Sequence, residues 1–302
     1  MMPQLRKEQI AAMNIHYRLF PLEYFFKAEQ ELGMKTIELW GGAPHFLLGY
    51  DGYQDCSEVK KMAEDHGLKI VVFTPESAAY PFTLCGWDDE VYKKSLLYFS
   101  NAIEVAGKLG AKIMSLSCAG GAKDRDPRYA FERAVASLRK LAPIAADKGI
   151  TLAVETMCPE SSVVVNDLDS LKRLLKAVDH QNVKACVDLC AISVAYETLD
   201  QWFNTLGKDI AHIHFTDGRP YGHLVWGEGL HCLDDLIKTL NAHGYNGYLG
   251  QNLNVRGMVF DPALVDDEKG YIGKDFVAEN YWFNPIAVDA KNMSAFAPYL
   301  IN

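Results

Sequence analysis

Four polar residues stand at the ends of four short apolar segments, and their side chains are of the kinds that bind metal ions. These residues are Glu155, Asp188, His214 and Gln251. If the apolar segments are neighbouring parallel strands, their carboxyl ends meet at one mouth and bring the four side chains together. Three oxygen donors and one imidazole suit Mn²⁺ best, and Mg²⁺, Co²⁺ or Zn²⁺ are alternatives. The sequence therefore predicts a divalent metal site.

Strand-like and helix-like segments alternate along the chain, as successive βα units require. The predicted strands cover residues 12–17, 36–40, 69–74, 112–117, 151–155, 183–188, 210–214 and 247–251. The predicted helices cover residues 22–32, 57–66, 88–109, 127–148, 168–178, 198–206 and 233–243. Parallel strands joined by helices in this order predict a (β/α)8 TIM barrel, with its chemistry at the carboxyl ends of the strands. A doubly wound open sheet is the alternative, but its glycine fingerprint does not follow the first strand.

Length and composition are compatible with one large barrel. The chain has 302 residues, of which 49% are hydrophobic, and no linker rich in proline, glycine or serine divides it. We expect a single TIM-barrel domain over residues 1–302, with the barrel at about 10–255 and an extension at about 256–302. The sequence of residues 252–283 is typical of a long C-terminal loop, and that of residues 285–300 predicts a helix that closes the barrel.

The charge of the chain limits the partners that it can take. A formal net charge of -9 and a pI near 5.5 argue against binding to nucleic acid or to an anionic membrane surface. No apolar run approaches the roughly 20 residues of a membrane span, and the N-terminus lacks a secretory signal pattern, so we expect a cytoplasmic protein. The seven cysteines contain no CxxC pair and are expected to be reduced thiols.

Five short segments carry a resemblance to a known family. They are Ile37-Glu-Leu-Trp-Gly, Leu152-Ala-Val-Glu, Val187-Asp, His212-Ile-His-Phe-Thr-Asp and Gly227-Glu-Gly. Together they resemble the xylose isomerase-like TIM barrels, which include ketose 3-epimerases, hydroxypyruvate isomerases and inosose dehydratases. The resemblance covers about residues 10–255. It implies that Glu155, Asp188 and His214 bind the metal.

The chain departs from this family at two positions. The family places a second glutamate where Gln251 stands here, and the histidine often found three residues after Asp188 is replaced by Ala191. An amide can bind a metal through its oxygen, but it cannot take up and return a proton near pH 7. Epimerisation by two carboxylates on opposite faces of the substrate is therefore weakened as an interpretation. The altered site most resembles the catalytic subunit of the C-glycoside deglycosidases.

That resemblance implies an elimination. The enzyme would remove a proton next to the carbonyl of a sugar-like substrate, give a metal-stabilised enolate, and release the aglycone of a 3-oxo-C-glycoside. Two alternatives stay open: a ketose isomerase or 3-epimerase, and a catalytically decayed barrel that serves as a partner subunit. The expected partners are a small sugar or glycoside substrate and either a small β-type subunit or a second copy of the chain.

Further side chains are candidates for the chemistry around the metal. Glu155 is the predicted general base as well as a ligand, and His45 or His16 is the predicted second acid or base, because imidazole titrates near neutral pH. The predicted substrate contacts are His212, Glu76, Arg219, Trp40 and Trp226. For each of these residues the alternative is a packed or hydrogen-bonding structural role.

Overall fold

The computed structural model describes residues 3–77, 82–218, 222–253, 265–266, 271–272 and 285–301, and its centre is a closed barrel of parallel strands. The barrel strands are β1 (Ile10–Met13), β2 (Thr36–Gly41), β3 (Lys69–Pro75), β4 (Ile113–Ser117), β5 (Thr151–Glu155), β6 (Val183–Asp188), β7 (Ile210–His214) and β8 (Tyr248–Gln251). Each strand pairs in parallel with the next, and β8 pairs with β1. The predicted (β/α)8 barrel is confirmed.

Helices surround this barrel. They are α1 (Leu22–Glu31), α2 (Cys56–Asp65), α3 (Asp89–Leu109), α4 (Pro127–Asp147), α5 (Leu168–Val178), α6 (Leu189–Val194), α7 (Leu199–Leu206), α8 (Leu233–Ala242) and α9 (Pro285–Phe296). The sequence predicted the others but not the short α6. Within the described ranges, no helix is both long and apolar enough to cross a membrane.

The two ends of the described chain lie side by side. The short strand Leu5–Arg6 pairs in parallel with Leu300–Ile301, just after α9, and this contact fixes α9 against the start of the barrel. The predicted closing helix is therefore present at α9. Most of the predicted C-terminal loop lies outside the described residues, except for a small antiparallel pair formed by Val265–Asp266 and Tyr271–Ile272.

Acidic side chains begin several of the helices. Asp88 accepts a hydrogen bond from the backbone N–H of Val91 at the start of α3, and Asp126 accepts one from Arg128 at the start of α4. Such caps satisfy N–H groups that have no partner inside the helix. Helix α3 ends at Gly110, whose positive φ of 87° is a conformation that glycine adopts without strain. These local signals explain why the predicted helix bounds fall close to the observed ones.

Side chains along the barrel strands alternate between two environments. Outward residues such as Ile37 and Leu39 join the apolar core between the barrel and the helices. The inward residue Glu38 on β2 instead contacts His212 and His214 on β7. Strands β2 and β7 are not neighbours, so side chains that bridge them must cross the barrel interior. The interior is therefore polar where the strands end.

The first barrel strand differs from its prediction. It covers Ile10–Met13, whereas the sequence pattern predicted 12–17, because Asn14–Tyr17 form a 3₁₀ turn. The Asn14 side chain binds the backbone of Trp40, accepting from its N–H at 2.7 Å and donating to its carbonyl at 3.1 Å. These side-chain bonds take the place of further strand pairing. His16 consequently lies on a turn beyond the strand.

Candidate metal centre

Three predicted ligands converge at the ends of consecutive strands. Glu155 ends β5, Asp188 ends β6 and His214 ends β7, and one donor atom from each lies within 4.8 Å of the others. His214 Nδ1 is 2.6 Å from Glu155 Oε1 and 3.7 Å from Asp188 Oδ2. All three side chains are buried. Two carboxylates and an imidazole form a donor set that fits a divalent cation.

The ionisation of these side chains reflects their mutual contacts. Burial alone would raise the pKa of Asp188, but the charges and hydrogen bonds of His223 and His214 outweigh burial and hold it below its usual range. Burial alone would lower the pKa of His214, whereas the charges of Glu155 and Glu38 and a hydrogen bond to Asp188 raise it. The centre thus favours an ionised Asp188, the form that binds a cation.

Two other groups of side chains in the described residues could hold a metal, and each contains a cysteine. One consists of Cys186 with His212 and His214, and the other of Asp188 with Cys190 and His223. Burial raises the pKa of both thiols. Because the thiolate is the form that binds metal, these groups fit a cation less well than the group with two carboxylates.

Asp188 is held from two sides. Its Oδ1 accepts the backbone N–H of Ala191 at 2.8 Å, so that Asp188 caps α6. Its Oδ2 lies 2.8 Å from His223 Nε2. Position 191, where the family often has histidine, is alanine in this chain. An imidazole from a later loop, that of His223, contacts Asp188 instead. Sequence reasoning missed His223, since nothing local to this residue indicates that it meets Asp188.

The loop that carries His223 is organised by a second buried aspartate. Asp217 accepts backbone N–H groups from Gly227 at 2.9 Å and from Gly229 at 2.8 Å. A side chain at Gly229 would collide with Asp217, because its Cβ would lie 2.1 Å from Oδ1. The backbone of Asp217 also exchanges two hydrogen bonds with Leu224, next to His223. These contacts fix the loop over the end of β7.

Glu38 is a further buried carboxylate that sequence reasoning did not assign to the site. Its Oε2 lies 2.8 Å from His212 Nε2, and its Oε1 lies 3.0 Å from His214 Nε2. Thr74 donates to the same Oε1 at 2.5 Å. His212, predicted as a substrate contact, is fully buried against Glu38. The available signal was a glutamate within an otherwise apolar strand.

Gln251 does not face this centre, which corrects its predicted orientation. Its Oε1 accepts a hydrogen bond from Asn292 Nδ2 on α9 at 2.8 Å. Its Nε2 donates to the carbonyl of Leu249 at 3.1 Å. Asn292 in turn accepts the backbone N–H of Trp226. Gln251 therefore connects the barrel wall to α9.

The alternation of β8 explains this orientation. Leu249 packs in the outer core, and Leu253 packs against Val288 of α9, so the odd-numbered residues of this stretch face outward. A Cβ on Gly250 would point at Glu38, which shows that the even-numbered residues face inward. The strand ends at Gln251, and the N–H of Leu253 bonds back to the carbonyl of Gln251, so Asn252 lies on the turn that follows. Gln251, the predicted fourth ligand, thus faces away from the metal centre.

The structure does not offer His45 or His16 as a proton donor at the mouth, contrary to expectation. His45 Nδ1 lies 2.8 Å from Asn14 Nδ2, and its Nε2 lies 2.9 Å from the carbonyl of Phe20, so both ring nitrogens are engaged. Burial lowers the pKa of His45. The His16 side chain is fully buried and bonds to Asp289 of α9 at 3.1 Å.

The remaining predicted substrate contacts lie in different parts of the structure. Trp40 Nε1 donates to Glu76 Oε2 at 3.1 Å where β2 and β3 end, so these two side chains lie together near the mouth. Trp226 packs in the core instead, with its ring centre 4.9 Å from that of Phe215. Arg219 lies outside the described residues. Of the two predicted tryptophan contacts, Trp40 thus lies where the strands end, whereas Trp226 lies in the core.

Fold and site define a (β/α)8 barrel with a carboxylate and imidazole centre at the carboxyl ends of its strands. The family model described as "Xylose isomerase-like TIM barrel" matches residues 26–271. The chain belongs to this family.

Relatives and solved structures of known sugar enzymes are similar to the chain. Fructoselysine 3-epimerase of Shigella flexneri is 30% identical over 235 residues, which are 77% of this chain and 85% of that protein. D-Psicose 3-epimerase of Ruminiclostridium cellulolyticum is 24% identical and covers 74% and 75% of the two chains. The fold also matches D-allulose 3-epimerase from Methylomonas sp., with a TM-score of 0.76, 17% identity and coverage of 99% of this chain and 100% of that one.

Proposed function

We propose that this protein is a divalent-metal-dependent enzyme of the sugar isomerase and epimerase type, which moves a proton beside the carbonyl of a keto sugar. The observation that carries the proposal is the convergence of Glu155, Asp188 and His214 at the strand ends. Similarity to a fructoselysine 3-epimerase over most of the chain supports a ketose or a ketose derivative as substrate. Both the metal and the carboxylate base belong to this reaction class.

The metal would be held by Glu155, Asp188 and His214, with Asn252 proposed as a fourth oxygen donor in place of Gln251. Mixed carboxylate and imidazole donors favour Mn²⁺. When bound there, a divalent cation supplies a Lewis acid that stabilises negative charge on a substrate oxygen. The residues present fit such a cation, since their donor atoms already lie close together.

Glu155 is the proposed base. Its carboxylate stands at the rim of the barrel, 9% exposed, whereas Asp188 is 3% exposed and already accepts two hydrogen bonds. Glu155 is therefore the more accessible of the two carboxylates for a carbon-bound proton. A proton next to a carbonyl is acidic enough for removal by a positioned carboxylate.

Return of the proton to the opposite face needs a second group, and strand β8 does not supply a carboxylate. The residues at its end are Gly250, Gln251 and Asn252. His223 is the group we propose, because it lies beside Asp188 and its side chain is 25% exposed. Imidazole can both give and take a proton near neutral pH. In this proposal Glu155 acts on one face of the substrate and His223 on the other, as epimerisation requires.

Elimination from an oxidised glycoside is a second candidate, favoured by the amide that replaces the family's second carboxylate. In this reaction Glu155 would remove the proton next to the sugar carbonyl. The electron pair would form a carbon–carbon double bond as the bond to the aglycone breaks. His223 would protonate the departing aglycone. Glu155 and His223 can thus act in either reaction, and the substrate determines whether epimerisation or elimination occurs.

The test is a paired assay in D₂O with Mn²⁺-loaded protein. Free ketoses, an amine-substituted ketose such as fructoselysine, and a 3-oxo-C-glycoside are offered separately. We expect deuterium at the carbon next to the carbonyl and formation of an epimer, with both lost in Glu155→Gln. Release of aglycone without exchange into ketoses would establish elimination instead. Bound Mn²⁺ with no exchange into any of these substrates would contradict an enzymatic role.

A further inference from the structure

Glu38 lies opposite the strands that carry the predicted ligands, yet it touches two of the histidines on them. It projects inward from β2, and both of its oxygens are within 3.0 Å of an imidazole Nε2 on β7. Glu38, His212 and His214 are at most 1% exposed. Water therefore does not compete for these contacts.

These hydrogen bonds fix a proton on one nitrogen of each imidazole. An ionised carboxylate can only accept hydrogen bonds, so His212 and His214 must each present an Nε2–H to Glu38. A neutral His214 with its proton on Nε2 has its lone pair on Nδ1. Nδ1 is the nitrogen that faces Glu155 and Asp188. Glu38 thus selects the tautomer that can bind a metal among these residues.

Donors surround both oxygens of Glu38. His212 Nε2 lies at Oε2, and His214 Nε2 lies at Oε1. Thr74 adds a further donor to Oε1. A group with donors on both oxygens has little freedom to rotate.

Gly250 supplies independent evidence that the carboxylate position matters. A Cβ at this residue would lie 2.0 Å from Glu38 Oε2, 2.8 Å from His212 Nε2 and 3.1 Å from His214 Cδ2. The φ angle of Gly250 is not in the left-handed region, so its backbone does not require glycine. The absent side chain instead leaves the space in which Glu38 and the two imidazoles meet.

We propose that Glu38 is a positioning residue for the metal centre, orienting His214 through Nε2 so that Nδ1 is free to bind the cation, with Gly250 providing the necessary room. The inference rests on the proposed function, since it assigns a role toward the metal of that site. Partners that orient a ligating histidine in this way typically change metal affinity 10–100-fold when they are replaced.

Glu38→Gln is the main variant. A glutamine has one acceptor oxygen and one NH₂ group, so it cannot accept from both imidazoles, and one ring must move its proton to Nδ1. We expect Mn²⁺ affinity, measured from the electron paramagnetic resonance signal of free Mn²⁺, to fall about 10–100-fold. Nitrogen-15 chemical shifts of the histidine side chains should show the change of tautomer. Glu38→Asp, which keeps two acceptor oxygens, should recover part of the affinity.

Gly250→Ala tests the same geometry without removing the carboxylate, and it should also weaken Mn²⁺ binding. The matched control is Glu29→Gln, which removes a buried carboxyl group on α1 outside the barrel and should leave Mn²⁺ affinity unchanged. Folding of every variant is checked by circular dichroism. Wild-type affinity and tautomers in Glu38→Gln, or in Gly250→Ala should Glu38→Gln not fold, would overturn the inference. Wild-type protein that binds no Mn²⁺ would instead overturn the proposed function, and the role of Glu38 with it.

Discussion

Two buried groups of carboxylates and imidazoles lie in different parts of this molecule, and their contacts differ in kind. The barrel cluster consists of Glu38, Glu155, Asp188, His212 and His214. The α9 cluster consists of His16 and Tyr17 on the turn after β1, Glu29 on α1 and Asp289 on α9. The first lies inside the barrel at the carboxyl ends of the strands, whereas the second lies between a turn and two outer helices.

Negative charge is reduced in the α9 cluster. Tyr17 donates to Asp289 Oδ2 at 2.6 Å, and His16 Nε2 contacts the same oxygen at 3.1 Å. Burial and the charge of Asp289 raise the pKa of Glu29, which favours its neutral acid. Asp289 thereby remains as the one carboxylate with two donors, whereas both carboxyl oxygens of Glu29 and His16 Nδ1 have no hydrogen-bond partner among the described residues. The hydrogen bonds of Asp289 to Tyr17 and His16 hold α9 against the turn after β1.

Acceptors are in excess in the barrel cluster. Glu155 and Asp188 both point at His214 Nδ1, a nitrogen that can satisfy only one acceptor at a time. Carboxylates gathered around one nitrogen leave negative charge that a cation would neutralise. Residue types alone therefore do not identify a reactive site. The number of ionised carboxylates around one nitrogen, and access to the mouth, distinguish chemistry from packing.

The largest expected difference between the clusters is catalytic. Glu155→Gln should lower the rate of solvent deuterium exchange into a keto sugar by about 10²–10⁴-fold, the usual contribution of a general base. Glu29→Gln, the matched change in the α9 cluster, should leave this rate intact. The measurement is exchange followed by NMR at saturating Mn²⁺. Equal rates in Glu155→Gln and wild type would remove the distinction between the clusters.

Removing a donor from the α9 cluster should affect stability instead. Tyr17→Phe deletes a hydrogen bond to a charged carboxylate, so the free energy of unfolding should fall by about 1.5–3 kcal/mol. Urea denaturation provides the measurement, and Mn²⁺ affinity of the folded variant should not change. A loss of Mn²⁺ binding without a loss of stability would show that the α9 cluster belongs to the site.

The two adjacent amides Gln251 and Asn252 should also differ, one affecting stability and the other Mn²⁺ binding. Gln251→Ala leaves the buried Asn292 amide without its acceptor and should lower stability by about 1–3 kcal/mol, with Mn²⁺ affinity retained. Asn252→Ala should do the opposite and weaken Mn²⁺ binding at unchanged stability. Calorimetry measures both quantities. The reverse pattern would return Gln251 to the metal centre.

The smallest expected effect concerns the pH dependence of stability. The folded-state pKa of Glu29 is raised above its ordinary value of 4.5, so the stability contributed by its protonated form is present below that value. This contribution is lost as the pH rises through the folded-state pKa. Nearby Lys7 opposes the shift but does not reverse it.

Glu29→Gln cannot titrate and should not show this loss. The stability of the variant relative to wild type should therefore increase as the pH rises from 4 to 8, as thermal unfolding at each pH would show. A constant difference would mean that Glu29 does not hold its proton in the folded protein.

Local patterns were sufficient to predict the strand ends that carry the three ligands. The segments before Glu155, Asp188 and His214 are apolar and of strand length, and their predicted bounds equal the observed ones. A barrel then brings consecutive strand ends together without any knowledge of side-chain contacts. This is why the fold and the centre of the site follow from the sequence.

Contacts between distant residues were not predictable in the same way. Glu38 meets His212 across 174 residues of sequence, and His223 meets Asp188 across 35 residues through a loop of irregular structure. The orientation of Gln251 depended on the phase of a two-residue period, where an error of one residue turns a side chain to the other face. Such details depend on tertiary packing.

The most direct test is a crystal structure of the protein soaked with Mn²⁺, with an anomalous difference map recorded at the manganese edge. We expect a peak bounded by Glu155, Asp188 and His214 Nδ1, with Glu38 still bonded to His214 Nε2. A peak between Asp188, Cys190 and His223 would contradict it. A protein saturated with Mn²⁺ that shows no peak inside the barrel would contradict it as well.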